Sequence, residues 1–267
     1  MIITHRSTPH LWPILSRSMA AHGYCRACSI THSLPTTNEA REIALSLMHS
    51  LQHSSDADSV IRRKSTIDTV VQKGKMIGVL LCKDDTNSII TLKAFAGASF
   101  GRWYVPGWCP VVGGENTSPT DLSEYVQIQE KTNKLAIQQK FVKEKIQSST
   151  PSADLFTELA EITSERKLLA VEALSVMRKH QYVVNFRGQR SLLQDIFVCG
   201  SGRRKIPSGV GDCATTKLLA EAGRRNLRPY SIAEIFVGDA ATKNNGLFYD
   251  ACKERCEPVL GFMLCGL

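Results

Sequence analysis

Two apolar runs separated by a short polar segment lie in the stretch Lys75-Met-Ile-Gly-Val-Leu-Leu-Cys-Lys-Asp-Asp-Thr-Asn-Ser-Ile-Ile-Thr-Leu-Lys-Ala-Phe95. Residues 75–82 form a continuous apolar run of strand length, and residues 89–95 form a second one. The polar residues 83–88 between them suit a short turn, so the stretch predicts a β-hairpin. The residues that follow are rich in Trp, Pro and Gly, and they predict an irregular loop over 97–120.

Helical patterns lie on both sides of this hairpin. Before it, residues 39–53 carry Ile43, Leu47 and Leu51 at helical spacing, which predicts a short amphipathic helix. After it, residues 125–146 and 155–176 each repeat apolar residues at alternating spacings of three and four, with polar interruptions. Pro151 stops the first of these helices and Ser152 can cap the second. We expect an antiparallel helical hairpin with coiled-coil character.

The C-terminal part alternates strand and helix signals. Residues 182–186 and 232–237 predict strands, a helix should begin at Cys213, and another should follow Pro258. We therefore expect an α+β fold with a small mixed sheet and a long antiparallel helical hairpin. Its expected parts are a disordered or transit-like N-terminus (1–38), a hairpin-containing part (39–120), the helical hairpin (121–181) and a Cys-containing α/β part (182–267) packed against 39–120.

Composition limits the partners. The 267 residues carry a net charge of +8, with the basic excess at the two ends of the chain, which suits a polyanionic partner such as RNA. No apolar run is long enough for a membrane span, so we expect no membrane contact. Residues 1–38 contain arginines but no acid, as in organelle transit peptides. The expected location is cytoplasmic, or organellar if that segment is a transit peptide.

Nine cysteines form no regular disulfide pattern, which favours a reducing compartment with buried, metal-bound or reactive thiols. Cys25-x2-Cys28 with His32 is a candidate zinc motif, although no fourth ligand lies near it in sequence. A second candidate set is Cys213 with the Cys-x3-Cys pair Cys252 and Cys256. Buried free thiols are the alternative for both sets.

The run Gly209-Val-Gly-Asp-Cys-Ala-Thr-Thr-Lys-Leu-Leu219 admits three kinds of chemistry. The glycines before a helix can cradle a phosphate, although no P-loop or dinucleotide motif is complete. Cys213 at a helix N-terminus can be a nucleophile, but no histidine follows His180 to serve as its base. Zinc-dependent deaminases are similar in outline, with ligands opening two helices. They place a Glu two residues after the first ligand, where this chain has Thr215.

A family resemblance rests on three segments: residues 207–219, residues 229–234 and the terminal run Phe248-Tyr-Asp-Ala-Cys-Lys-Glu-Arg-Cys-Glu-Pro-Val-Leu-Gly-Phe-Met-Leu-Cys-Gly-Leu267. Together they resemble an N-terminal extension that precedes the catalytic domain in some bacterial RluA-type RNA pseudouridine synthases. The strand Gly74-Lys-Met-Ile-Gly-Val79, the element Phe95-Ala-Gly97, the pair Pro106-Gly107 and the helical middle also fit that extension, so the resemblance covers roughly residues 60–267. It implies an accessory domain with a role in RNA modification, and a separate synthase catalytic domain as a partner.

The catalytic aspartate of those synthases lies in a Gly-Arg-Leu-Asp-type motif, and this chain contains no Arg-Leu-Asp. No residue here inherits that role, so we assign no catalytic residue and leave open whether the protein is an enzyme. We expect a truncated or split synthase, with the enzyme beginning after Leu267. The expected RNA partner is an rRNA or a tRNA. Its phosphates would be bound by a set of basic residues: Arg203, Arg204, Lys205, Lys217, Arg224, Arg225 and Arg228. The alternative is a thiol- or zinc-centred domain of deaminase-like ancestry without activity.

Overall fold

The structure, a computed structural model, describes residues 21–53, 74–97, 105–113, 119–148, 152–203, 205–238 and 243–267. The strands are β1 (Ala21–Cys25), β2 (Ile30–Leu34), β3 (Lys75–Lys83), β4 (Ile89–Phe95), β5 (Tyr182–Val184), β6 (Arg190–Leu192) and β7 (Arg228–Val237). The helices are α1 (Asn38–His53), α2 (Pro119–Ser148), α3 (Ala153–Arg178), α4 (Leu193–Ser201), α5 (Ala214–Arg224) and α6 (Glu257–Met263). This is an α+β fold, as the sequence predicts.

The central sheet has the strand order β4-β3-β7, and its strands are antiparallel. The predicted hairpin of β3 and β4 is confirmed, with Ile77 opposite Phe95 and Lys83 opposite Ile89. Its turn is closed by the Asp84 carboxylate, which accepts the backbone N–H groups of Thr86 and Ser88. The expected mixed sheet is therefore wrong, because β7 also runs antiparallel to β3.

Helices cover both faces of this sheet, which explains why β3 is apolar at successive positions rather than at alternate ones. Side chains of β3 point alternately to the two faces. On one face Ile77, Val79 and Leu81 pack with α1. On the other, Leu80 and Cys82 pack with α5, α4 and α6. The protein core is thus two apolar layers separated by one sheet.

Helix α5 packs unusually close to the backbone of β3 at Gly78. A Cβ atom added at Gly78 would lie 2.8 Å from the Leu218 side chain and 3.0 Å from Cβ of Ala214. The missing side chain at Gly78 therefore lets the first turns of α5 lie directly on the strand. This fixes the N-terminus of α5, and Cys213 before it, beside the sheet.

The predicted helical hairpin is confirmed in α2 and α3. Ser152 caps α3 by accepting the N–H of Leu155. The two helices are antiparallel, because Ile128 near the start of α2 packs with Val176 near the end of α3. Two of the polar residues that interrupt the apolar repeats lie opposite each other in the hairpin, because Arg166 donates a hydrogen bond to the Oε1 atom of Gln139.

The predicted disorder over residues 1–38 is wrong from Ala21 onward; residues 1–20 lie outside the described part of the chain. Strands β1 and β2 form an antiparallel pair, in which Ala21 lies opposite Leu34 and Cys25 lies opposite Ile30. The alternate residues Ala21 and Cys25 are buried, and Gly23 lies against α6. This hairpin has few large apolar side chains, so composition alone hides it. No helix in the described ranges is long and apolar enough to cross a membrane.

Candidate metal centres

The turn at residues 209–212 delivers Cys213 to the start of α5. Gly209 and Gly211 have φ angles of 81° and 91°, which favour glycine. The N–H of Asp212 donates to the carbonyl of Gly209 and closes the turn. Cys213 then occupies the N-cap position with extended backbone. The two glycines therefore shape the chain so that one thiol faces away from the helix, toward residues 252–256.

Three thiols meet at this point, as the sequence predicts. The Sγ atom of Cys213 lies 3.8 Å from that of Cys252, which lies 3.3 Å from that of Cys256. Cys256 is the N-cap of α6. Thiolates bound to one tetrahedral zinc ion, at about 2.3 Å each, are about 3.8 Å apart. These residues, the Cys213 cluster, could therefore hold a metal ion.

The sulfur atoms of the Cys213 cluster share their protons unequally. Hydrogen bonds with the thiols of Cys213 and Cys256 lower the pKa of Cys252 to about 2. The hydrogen bond with Cys252 raises the pKa of Cys213 to about 12. The pKa of Cys256 is also raised, because its thiol is hydrogen-bonded to both of the other cysteines. One thiolate is thus ready to bind a cation, and a metal ion would displace the protons of the other two.

A buried carboxylate lies next to the same helix start. Glu234 of β7 is 6% exposed, and its Oε1 atom accepts the backbone N–H of Thr215 at 2.8 Å. Burial raises the pKa of Glu234 to about 7, and the charge of Cys252 acts in the same direction. One of the free backbone N–H groups at the start of α5 therefore already has an acceptor in the protein. This leaves little reason to assign a phosphate to the turn.

The prediction that Lys217 binds RNA is wrong. Its side chain is 1% exposed, and Nζ donates to the carbonyls of Phe95 and Gly97 at 2.9 and 2.8 Å. Burial lowers the pKa of Lys217 to about 8. A lysine on the face of α5 that packs on the sheet ties the end of β4 to the helix, and phosphates cannot reach it.

The other cations of the predicted basic set differ in exposure and in their acidic neighbours. Arg203 and Lys205 are exposed, whereas Arg204 lies outside the described residues. Arg224 forms a two-bond pair with Glu221, and Arg225 is 4.0 Å from the same carboxylate. Arg228 lines a surface groove that also contains Asp84 and Asp85. Among the described members of the set, Arg203 and Lys205 are thus the exposed cations for which no ion pair with a described carboxylate is seen.

A second group of ligands joins the two ends of the described chain. Cys25, Cys28, His32 and Cys265 place their ligand atoms within 4.8 Å of one another and could also hold a metal ion. We call these four residues the Cys25 cluster. Cys265 supplies the fourth ligand that the sequence motif lacks, and it is separated from Cys28 by 237 positions. All nine cysteines are free thiols.

Sequence reasoning therefore missed two residues. Cys265 follows the last helix and gives no local metal-binding pattern, so nothing near it pointed to the N-terminal pair. Glu234 did carry a signal, because it is the one charged residue within the apolar run Ile232-Ala-Glu-Ile-Phe-Val237. A lone acid in a buried strand indicates a specific partner.

Comparison with known proteins gives no relative from which to transfer a role: no protein-family model, curated protein or solved structure matches the chain.

Proposed function

We propose that the protein is an RNA-associated accessory module of a pseudouridine synthase, built around a zinc centre on the Cys213 cluster. The observation that carries the zinc centre is the convergence of three thiols from two chain segments, with separations close to those of a zinc site. Synthase chemistry is not assigned to this chain, because its sequence contains no Arg-Leu-Asp.

Support for the RNA role comes from the resemblance to the synthase extension and from exposed cations. Arg203 and Lys205 follow the C-cap residue Gly202 of α4, and both are exposed. Such side chains contribute affinity by neutralising phosphates, and this contribution weakens as salt concentration rises. The zinc centre would then join the start of α5 to the start of α6.

The experiment is an RNA titration at several salt concentrations. Fluorescence anisotropy of a labelled single-stranded RNA gives the slope of log affinity against log salt for the wild type and for Arg203→Ala/Lys205→Ala. Affinity falls as salt rises, and on single-stranded RNA each phosphate contact adds about 0.7 to the steepness of this fall. We therefore expect the double variant to make the slope shallower by about 1.4.

The matched control removes two exposed lysines of α2, Lys131→Ala/Lys134→Ala, and changes the net charge equally. We expect the control to retain the wild-type slope. Equal slopes in the two double variants would show that net charge alone matters, and an affinity independent of salt would sink the RNA proposal.

A second candidate is a deaminase-like catalytic zinc site, and the position of Glu234 favours it. The sequence lacks a Glu at Thr215, yet Glu234 reaches the backbone of that very residue from β7. Zinc with three protein ligands keeps a place for water and lowers its pKa. Glu234 would hold a proton on its Oε2 atom, and a carboxyl pKa of about 7 suits proton transfer.

This candidate is tested by incubating the zinc-loaded protein with single-stranded RNA and measuring uridine and inosine formation by mass spectrometry. Activity that is present in the wild type and absent in Glu234→Gln, at equal zinc content, would favour it. A zinc-loaded wild type without product would eliminate it and leave the accessory role.

A further inference from the structure

The Cys25 cluster has the composition of a closed structural metal site. It offers three thiols and one imidazole, and the Sγ atoms of Cys28 and Cys265 lie 3.3 Å apart. A site with four protein ligands of this type is typical of structural zinc, whereas the Cys213 cluster offers three. Thiolate and imidazole ligands together suit zinc better than magnesium or calcium.

One atom of the Cys25 cluster lacks a partner. The Nε2 atom of His32 is buried and has no hydrogen-bond partner within the described residues. A buried ring nitrogen without a partner destabilises the folded state unless something unseen satisfies it. A metal ion between His32 and the three sulfur atoms would do so.

The turn between β1 and β2 brings its two cysteines together. Cys25 ends β1, Cys28 lies in the turn, and Ser29 has a φ of 56° that turns the chain back into β2. Two cysteines at this Cys-x2-Cys spacing are a common half of a structural zinc site. The hairpin thus holds two of its cysteines with sulfur atoms directed to the same point.

The fourth ligand lies on a surface that β1 already touches. Cys265 is 1% exposed and follows α6 by two residues. Gly23 and Gly261 bring the backbones of β1 and α6 into contact, because a Cβ atom on either glycine would overlap the other segment. A two-stranded hairpin is at best marginally stable alone, so this docking decides whether residues 21–34 are ordered.

We propose that the Cys25 cluster binds a zinc ion that clamps the β1–β2 hairpin onto the segment after α6. The site is separate from the zinc centre of the proposed function, because the two clusters share no ligand. Its role is to join the N-terminal hairpin to the C-terminal helix in a compartment where thiols stay reduced.

A disulfide between Cys28 and Cys265 is the competing explanation. Their sulfur atoms are 3.3 Å apart, beyond the bonded distance of about 2.05 Å. A disulfide would also leave Nε2 of His32 without a partner. The two explanations differ in zinc content and in the number of titratable thiols.

The test measures zinc per chain and protease resistance in purified full-length protein. We expect Cys265→Ser and His32→Gln each to lose one zinc ion relative to wild type, and trypsin to cut at Arg26 faster in both. Exposed Cys199→Ser is the matched control and should behave as wild type in both measurements. His32→Gln keeps all nine thiols, so it separates metal loss from disulfide loss.

Three outcomes would overturn the clamp. The first is unchanged zinc content in both variants. The second is a wild type with two fewer titratable thiols than sequence cysteines. The third is cleavage at Arg26 that stays slow after zinc is removed by a chelator. Failure of the Cys213 centre is detected separately, since Cys213→Ser alters the other cluster alone.

Discussion

The Oε1 atom of Glu234 on β7 accepts the backbone N–H of Thr215 on α5 at a distance of 2.8 Å. This bond ties the third strand of the sheet to the helix that Cys213 begins. It also places a buried acid beside the thiols, so strand, helix and cluster form one unit. Changes at Glu234 should therefore affect both stability and any chemistry at the Cys213 cluster.

Metal-free protein should lose stability as pH rises from about 4.5 to 7. The folded state raises the pKa of Glu234 from 4.5 to about 7 and so holds a proton that the unfolded chain releases in this window. The free energy of unfolding then falls by up to about 3 kcal/mol. Glu234→Gln should remove this component. Urea titrations at pH 5 and 8 with chelator measure it.

The control for that experiment is exposed Glu254→Gln, which should keep the wild-type dependence on pH. An identical stability difference between pH 5 and 8 in wild type and Glu234→Gln would contradict the assigned burial of this carboxyl group.

Lys217→Met should destabilise the fold by about 2–3 kcal/mol, because the carbonyls of Phe95 and Gly97 would both lose their donor. Chemical denaturation measures the loss, with exposed Lys253→Met as the control. RNA affinity of the folded variant should stay unchanged. A variant that is as stable as wild type but binds RNA more weakly would restore the sequence-based role of Lys217.

The helical hairpin should tolerate loss of its polar pair better than loss of one member. Gln139→Leu leaves the Arg166 guanidinium at the helix interface without the amide oxygen to which it donates, and should cost about 1–2 kcal/mol. The double variant Gln139→Leu/Arg166→Leu should recover most of this loss. A double-mutant cycle of unfolding free energies checks it, and strictly additive losses would refute the coupling.

Gly261→Ala should separate β1 from α6. The new Cβ atom would overlap the backbone of Tyr24 and Cys25, and we expect a loss of about 2–3 kcal/mol with faster proteolysis at Arg26. Gly188→Ala is the control, since its Cβ atom meets nothing within 4 Å and only the left-handed backbone costs about 1 kcal/mol. Equal protease resistance in the two variants would contradict the close contact.

Local patterns account for what the sequence predicted well. The β3–β4 hairpin, the two long helices and the helix after Cys213 each show their period or turn residues within one short stretch. The meeting of Cys213 with Cys252 and Cys256 was also predicted, because Cys213 begins one predicted helix and the Cys-x3-Cys pair precedes another. The face of α5 that carries Lys217 could not be assigned, since that requires knowing where the sheet lies.

Long-range contacts account for the rest. The pairing of Cys265 with Cys28 across 237 positions leaves no trace in local spacing. The β1–β2 hairpin is ordered by α6 rather than by its own apolar content, so composition favoured disorder there. Glu234 was visible as an isolated acid in an apolar strand, but its partner Thr215 was not.

The zinc content of the purified protein shows whether the two cysteine clusters hold metal ions. Elemental mass spectrometry gives the number of zinc ions per chain for the wild type, Cys213→Ser and Cys199→Ser. The proteins are kept in chelator-free buffer with their thiols reduced. The two clusters predict two zinc ions in the wild type and in Cys199→Ser, and one in Cys213→Ser. A Cys213→Ser variant that keeps the full wild-type zinc content, or a wild type without zinc, would rule out the zinc centre on the Cys213 cluster.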